Sequence, residues 1–122
     1  MNHWETNTTT RGKRAEDLAR AFLESKGMLF IERGFRWKGG EIDLIFHENR
    51  DVIFVEVRSS GKISKHLRFS ITQKKLERIY RTAALYLSKR GKHGCGSRFD
   101  VVWVECDDFG VWRFEHWKNV SC

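Results

Sequence analysis

Gly40-Glu41-Ile42-Asp43-Leu44-Ile45 and, after a short polar interval, Val52-Ile53-Phe54-Val55-Glu56-Val57-Arg58 decide how this chain is read. Both runs have the branched and aromatic content of buried strands. Each also carries acid where such a strand should carry none. Charged side chains are rarely buried unless they are paired, protonated or bound to a metal.

A hairpin with Glu48-Asn49-Arg50-Asp51 as its loop sets a definite register. His47 then faces Val52, Ile45 faces Phe54, Asp43 faces Glu56 and Glu41 faces Arg58. Alternation along a strand puts all of these on one face. Ile42, Leu44, Phe46, Ile53, Val55 and Val57 fall on the other and build a core. Directly opposed residues have Cβ atoms roughly 5 Å apart, and like charges at that separation destabilise the pair. Asp43 and Glu56 therefore require a cation or a shared proton. Mg²⁺, or Mn²⁺ in its place, suits two close carboxylates, completing its shell with water and phosphate oxygens.

Working outward, Ala15, Leu18, Ala19, Phe22 and Leu23 repeat at helical spacing and predict a first helix over 12–26. Gly27 is its C-terminal cap, and a Thr at 8, 9 or 10 its N-terminal one. Arg11, Lys13 and Arg14 at its start oppose the helix dipole, which hints at an anionic partner. Glu16 lies at the edge of the apolar stripe. It is a candidate third ligand, with pairing to Arg20 one turn later as the plain alternative.

A strand over 28–37, irregular near Gly34, precedes the Gly39-Gly40 turn. The stretch 59–70, with Lys62 and Lys65, is expected to be a mobile basic loop beside the acids. A second helix over 72–89 buries Leu76, Ile79, Tyr80, Ala83, Ala84 and Leu87, and presents Lys74, Arg78, Arg81 and Lys89 on its other side. Strands over 98–106 and 111–117 follow. The order α-β-β-β-α-β-β predicts an α/β architecture with a central mixed β-sheet flanked by helices. Residues 1–10 read as a flexible lead-in and 11–122 as one domain.

The chain has 122 residues, 40% hydrophobic content and a net charge of +7. That balance favours polyanions, nucleic acid above all. No apolar run is long enough to span a membrane, and 1–10 lacks the apolar segment of a secretory signal. Cys95, Cys106 and Cys122 form no metal-binding spacing, and an odd scattered count suits a reducing cytoplasm. The histidines carry little: His93 with Cys95 is a weak soft-metal pair, and His47 and His66 read as exposed. Trp37, beside the glycine turn, reads as core packing, with stacking on a base as the alternative.

Gly12-Lys13-Arg14-Ala15-Glu16, Gly40 to Ile45, Phe54-Val55-Glu56-Val57-Arg58 and Arg98-Phe99-Asp100-Val101-Val102 together resemble the YraN-like family. These are small bacterial proteins grouped with the PD-(D/E)XK nuclease superfamily and distantly similar to archaeal Holliday junction resolvases. The resemblance implies a restriction-endonuclease-like core. It implies Glu16, Asp43 and Glu56 as metal ligands, and Lys75 and Arg78 as basic positions on the second core helix. It also implies DNA, branched DNA included, as substrate, and a homodimer as the working form. This chain departs from the family by carrying Arg58 where lysine is usual. Arginine stays protonated and cannot act as a general base, although it can orient water and neutralise charge.

The leading expectation is a Mg²⁺-dependent endonuclease with Arg58 assisting hydrolysis. The alternatives are a nucleic-acid-binding module on the same fold with weak or lost cleavage, and a protein adaptor whose acids form a structural ion-pair network.

Overall fold

The computed structural model describes residues 8–60 and 71–120, with the side chains of residues 8–11 and 60 outside that description. Seven elements follow one another: α1 (Thr8–Ser25), β1 (Leu29–Trp37), β2 (Gly40–Glu48), β3 (Asp51–Ser60), α2 (Gln73–Lys89), β4 (Gly96–Cys106) and β5 (Trp112–Trp117). The strands form one sheet in the spatial order β1-β2-β3-β4-β5. β3 and β4 are parallel and the other neighbours antiparallel. The parallel pair needs a crossover, and α2 lies within it. This mixed sheet with a helix on each face is the arrangement of a restriction-endonuclease-like core.

The two faces bury separate clusters. Ala15, Ala19 and Leu23 of α1 pack on Leu44, Phe46, Ile53, Val55, Val102 and Val104. Leu76, Ile79, Ala83 and Tyr86 of α2 pack on Ile45, Val52, Phe54, Phe99, Val101 and Trp103. Full burial of an aliphatic or aromatic side chain is worth roughly 1.5–3 kcal/mol, so both layers stabilise the sheet. The face that carries the acids is thus not an open side; α2 covers much of it. Ile42 joins the α2 cluster rather than the Leu44 side that strict alternation assigned it. The regular β2–β3 ladder stops at Leu44↔Val55, and β2 departs from ideal alternation just beyond that point.

The β2–β3 register is the expected one: His47↔Val52, Ile45↔Phe54. The loop is tighter than expected, because Glu48 and Asp51 also pair and leave Asn49-Arg50 as the turn. Asn49 has φ 56° there, a left-handed conformation that asparagine tolerates well.

Other boundaries move for local reasons. α1 begins at Thr8, so Lys13 and Arg14 sit inside the helix rather than at the exposed N–H groups of its first turn. Its end matches: Gly27, at φ 92°, follows the last turn, and Met28 N–H donates to Leu23 O at 3.2 Å. The irregularity in β1 falls between Phe30 and Glu32, ahead of Gly34. β3 continues through Ser60, and β4 starts at Gly96, because parallel pairing runs from Asp51↔Gly96 to Ser60↔Glu105. On α2 the buried stripe holds Thr82 and Tyr86, whereas Tyr80 and Ala84 are exposed. The helix is turned so that Tyr86 meets Phe35 and Phe54 edge-on.

Candidate functional site

Asp43 and Glu56 lie one step beyond the last regular β2–β3 pair, where the strands begin to part. Instead of pairing with backbone, Val57 N–H donates to Asp43 Oδ2 at 2.8 Å. Burial above all, then the adjoining Glu56 carboxyl through hydrogen bonding and charge, pushes the Asp43 carboxyl up to about 9. The sequence alone required a cation or a shared proton here, and the upward shift of Asp43 accords with the proton.

Glu56 is 7% exposed. Its Oε2 is contacted by the Lys75 ammonium at 2.7 Å. Oε2 thus has a close charge but no hydrogen bond among the described residues. Lys75 reaches Glu56 because Thr72 caps α2, its hydroxyl accepting from Lys75 N–H at 3.1 Å. The cap fixes the first turn of the helix over the strand ends. Read from sequence as a phosphate-tracking residue, Lys75 stands inside the acid cluster. Gly40, Asp43, Glu56, Lys75 and Arg78 line a recess of about 260 Å³. A water claims roughly 30 Å³ of liquid, so the recess accommodates several waters or a hydrated ion.

Glu16 approaches from α1, across the sheet. It is ion-paired with Arg33 of β1 at 3.4 Å, while Arg20 pairs with Glu24; the expected Glu16–Arg20 pair does not form. Burial pushes the Glu16 carboxyl up against the opposing pull of Arg33, and the charges of Glu41, Asp17 and Glu56 add to the rise. Glu16 is therefore close enough to feel the acid pair. Yet no group of three His, Cys, Asp or Glu side chains among the described residues is disposed to hold a metal ion. Two carboxylates, one with a buried Oε2 that only the Lys75 ammonium contacts, do fit a divalent ion, whose remaining positions water and phosphate would fill.

Arg58 projects from β3 beside Trp103, its guanidinium 6.0 Å from the ring centre. Glu41 pairs with Arg36 at 3.3 Å, since β1 sets Arg36 directly opposite Glu41. Arg14 lies over Trp112 on β5. Lys74 and Arg78 sit on α2, and Lys13 is exposed on α1. Lys62 and Lys65 lie outside the described residues, as does the Arg11 side chain. His47 contacts Lys92 at 2.9 Å, four residues along β2 from Asp43. Trp37 is 36% exposed, which corrects its reading as core.

Residues 15–104 match the model described as "Uncharacterised protein family UPF0102". The chain belongs to the UPF0102 family. It is 45% identical over 93 residues to a UPF0102 protein of Hahella chejuensis, covering 75% of this chain and 74% of that one. A UPF0102 protein of Dechloromonas aromatica is 43% identical over 99 residues, 80% of this chain and 81% of its own. One from Persephonella marina is 41% identical over 93 residues, 75% and 80% of the two chains. The span matched to UPF0102 contains Glu16, Asp43, Glu56, Arg58 and Lys75.

A second charged cluster in this UPF0102 chain escaped sequence reasoning. Asp100, fully buried, accepts from Arg98 at 3.0 and 3.2 Å, from Asn119 N–H at 2.9 Å and contacts His116 Nε2 at 2.8 Å. Burial works against its charge, but His116, Arg98 and the Asn119 N–H outweigh it and hold the carboxyl below its ordinary value. Arg98 also reaches Glu48 at 2.8 Å. Arg98-Phe99-Asp100 was the available signal: charge on alternate positions of an apolar strand. Unlike Asp43 and Glu56, Asp100 has its hydrogen-bonding capacity filled, and it fastens β5 and the following turn to β4.

Among the described residues no helix is long and apolar enough to cross a membrane.

Proposed function

We propose that this chain is a metal-dependent nuclease-like protein that hydrolyses phosphodiester bonds in DNA, branched DNA included. The observation that carries the reading is the pair of Asp43 and Glu56 carboxyls lining one recess, with the Lys75 ammonium 2.7 Å from the buried Glu56, at the start of a helix with further basic side chains. Two buried acids held against each other are costly to fold, and a divalent ion replacing their proton turns that cost into affinity.

Asp43 and Glu56 would hold Mg²⁺ or Mn²⁺, with Glu16 reaching it after release from Arg33. A bound divalent ion would supply a water of lowered pKa and polarise the phosphoryl oxygen. Lys75 sets a cation where negative charge grows on the attacked phosphate. Lys74 and Arg78 would hold the flanking backbone. In hydrolysis the water oxygen bonds to phosphorus, the bond to one ester oxygen breaks, and that oxygen leaves with a proton. A two-fold branched substrate would engage two copies of the chain.

The position of Arg58 favours a second reading, a DNA-binding module with weak or lost cleavage. Its guanidinium rests beside Trp103, and arginine lacks the basic form that lysine can reach.

Calorimetric titration with Mn²⁺ separates these. The native protein is expected to bind, and Asp43→Ala and Glu56→Gln to abolish the heat. No heat from native protein overturns the hydrolytic reading. In parallel cleavage assays Lys75→Met should slow the reaction roughly 100-fold, and Arg58→Lys should accelerate it. Metal binding with branched, duplex and single-stranded DNA all left intact favours the binding module.

A further inference from the structure

Trp37 ends β1 at a tight two-residue turn. Lys38 at φ 43° and Gly39 at φ 82° carry the chain from Trp37 to its partner Gly40. Left-handed conformation at both central residues is the geometry of a turn that suits the twist of a hairpin. It projects Trp37 from the sheet end rather than into either layer.

The Lys89 ammonium lies 3.8 Å from the centre of the ring, and the indole still keeps 36% of its surface exposed. Lys89 comes from the last turn of α2, so a cation lies over the ring. Trp37 lines an open depression at the sheet end with Arg36, Lys38, Gly39, Gly40 and Glu41. Gly39, Gly40 and Glu41 also line the acid recess, so the two adjoin. An exposed aromatic ringed by Arg36, Lys38 and Lys89, next to a site for phosphate, combines a π-face with backbone-binding charge. That combination recognises a nucleotide whose base is free to leave its stack. A continuous duplex keeps its bases stacked and cannot offer one.

We propose that Trp37 stacks on an unpaired base adjoining the phosphate at the Asp43–Glu56 recess, so that the site selects single-stranded or gapped DNA over continuous duplex. This rests on the reading of the acid recess as a phosphodiester site and specifies its substrate.

The test measures fluorescence anisotropy in EDTA, which keeps the strands intact. The probes are a labelled single-stranded oligonucleotide, a duplex with a three-nucleotide gap, and the same duplex without the gap. Trp37→Ala should weaken binding of the first two by about tenfold or more, the loss expected for one stacked base. Binding of the continuous duplex should be unchanged. Trp37→Phe, which keeps a smaller ring, should restore most of the loss, while Trp37→Leu should not. Unchanged single-strand affinity in Trp37→Ala, or an equal loss on all three probes, overturns the proposal. Mn²⁺-dependent cleavage is measured alongside. A selective Trp37 effect without cleavage supports the stacking contact and removes the hydrolytic reading. Cleavage with an indifferent Trp37 does the reverse.

Discussion

Burial and the adjoining Glu56 push the Asp43 carboxyl up to about 9, whereas in an unfolded chain it ionises at about 4. The folded state therefore binds a proton that the unfolded state has already released. Stability from this group is complete below about pH 4 and is lost as the pH climbs toward 9. Asp43→Asn removes the ionisation while keeping the shape. It should raise the melting temperature at pH 8, by the equivalent of a few kcal/mol at most, with the gain vanishing near pH 4. Thermal unfolding in EDTA at pH 4, 6 and 8 checks this; a gain that does not grow with pH contradicts the shared proton. Mn²⁺ competes for the same oxygens, so its affinity for the native protein should increase over that pH range. Lys75 and Asp100 complete the contrast at this scale. Asp100 has Arg98, His116 and Asn119 around it and gains nothing from a ligand, whereas Glu56 retains a buried oxygen with only a charge beside it.

Between elements, the decisive contact is α2 on the start of β2. Gly40 faces Thr82, whose hydroxyl donates to Arg78 O at 2.8 Å. A Cβ on Gly40 would collide with Thr82 Oγ1 and come within 3.5 Å of Arg78 O. The missing side chain lets the helix close over the strand end and brings Lys75 and Arg78 onto the acids. Gly40→Ala should cost about 1–3 kcal/mol, the usual penalty for overpacking. In a Thr82→Ala background the same change should cost less than half as much, because the obstructing oxygen is gone. Urea denaturation of the four proteins gives the coupling. An equal cost in both backgrounds would mean that Gly40 acts through backbone freedom alone.

At the scale of the molecule, 23 Lys and Arg against 16 Asp and Glu would favour any polyanion, so charge does not by itself identify a DNA-binding face. Direct phosphate contact does, because each contact releases counterions. The logarithm of DNA affinity should fall linearly with the logarithm of salt concentration, and Lys74→Ala should lower the slope by about one for a single phosphate contact. A near-flat dependence for the native protein would favour an adaptor in which the acids form a structural network.

The sequence by itself determined the element order, the hairpin register and the convergence of Asp43 and Glu56. Each rests on short-range rules: alternation along strands, helical spacing, a tight turn and the cost of charge on an apolar run. It also yielded the cap at Gly27, which depends on a few neighbouring residues. Tertiary structure alone decided that α2 covers the acid-bearing face, that Lys75 is the cation on Glu56 and that Glu16 is held by Arg33. Those contacts join residues far apart in the chain, and a helix rotated by one residue presents a different side chain; Tyr86 replacing Ala84 in the buried stripe shows the same sensitivity. Trp37 passed for core material because composition records what an indole could bury, and only the packed sheet end leaves it facing solvent.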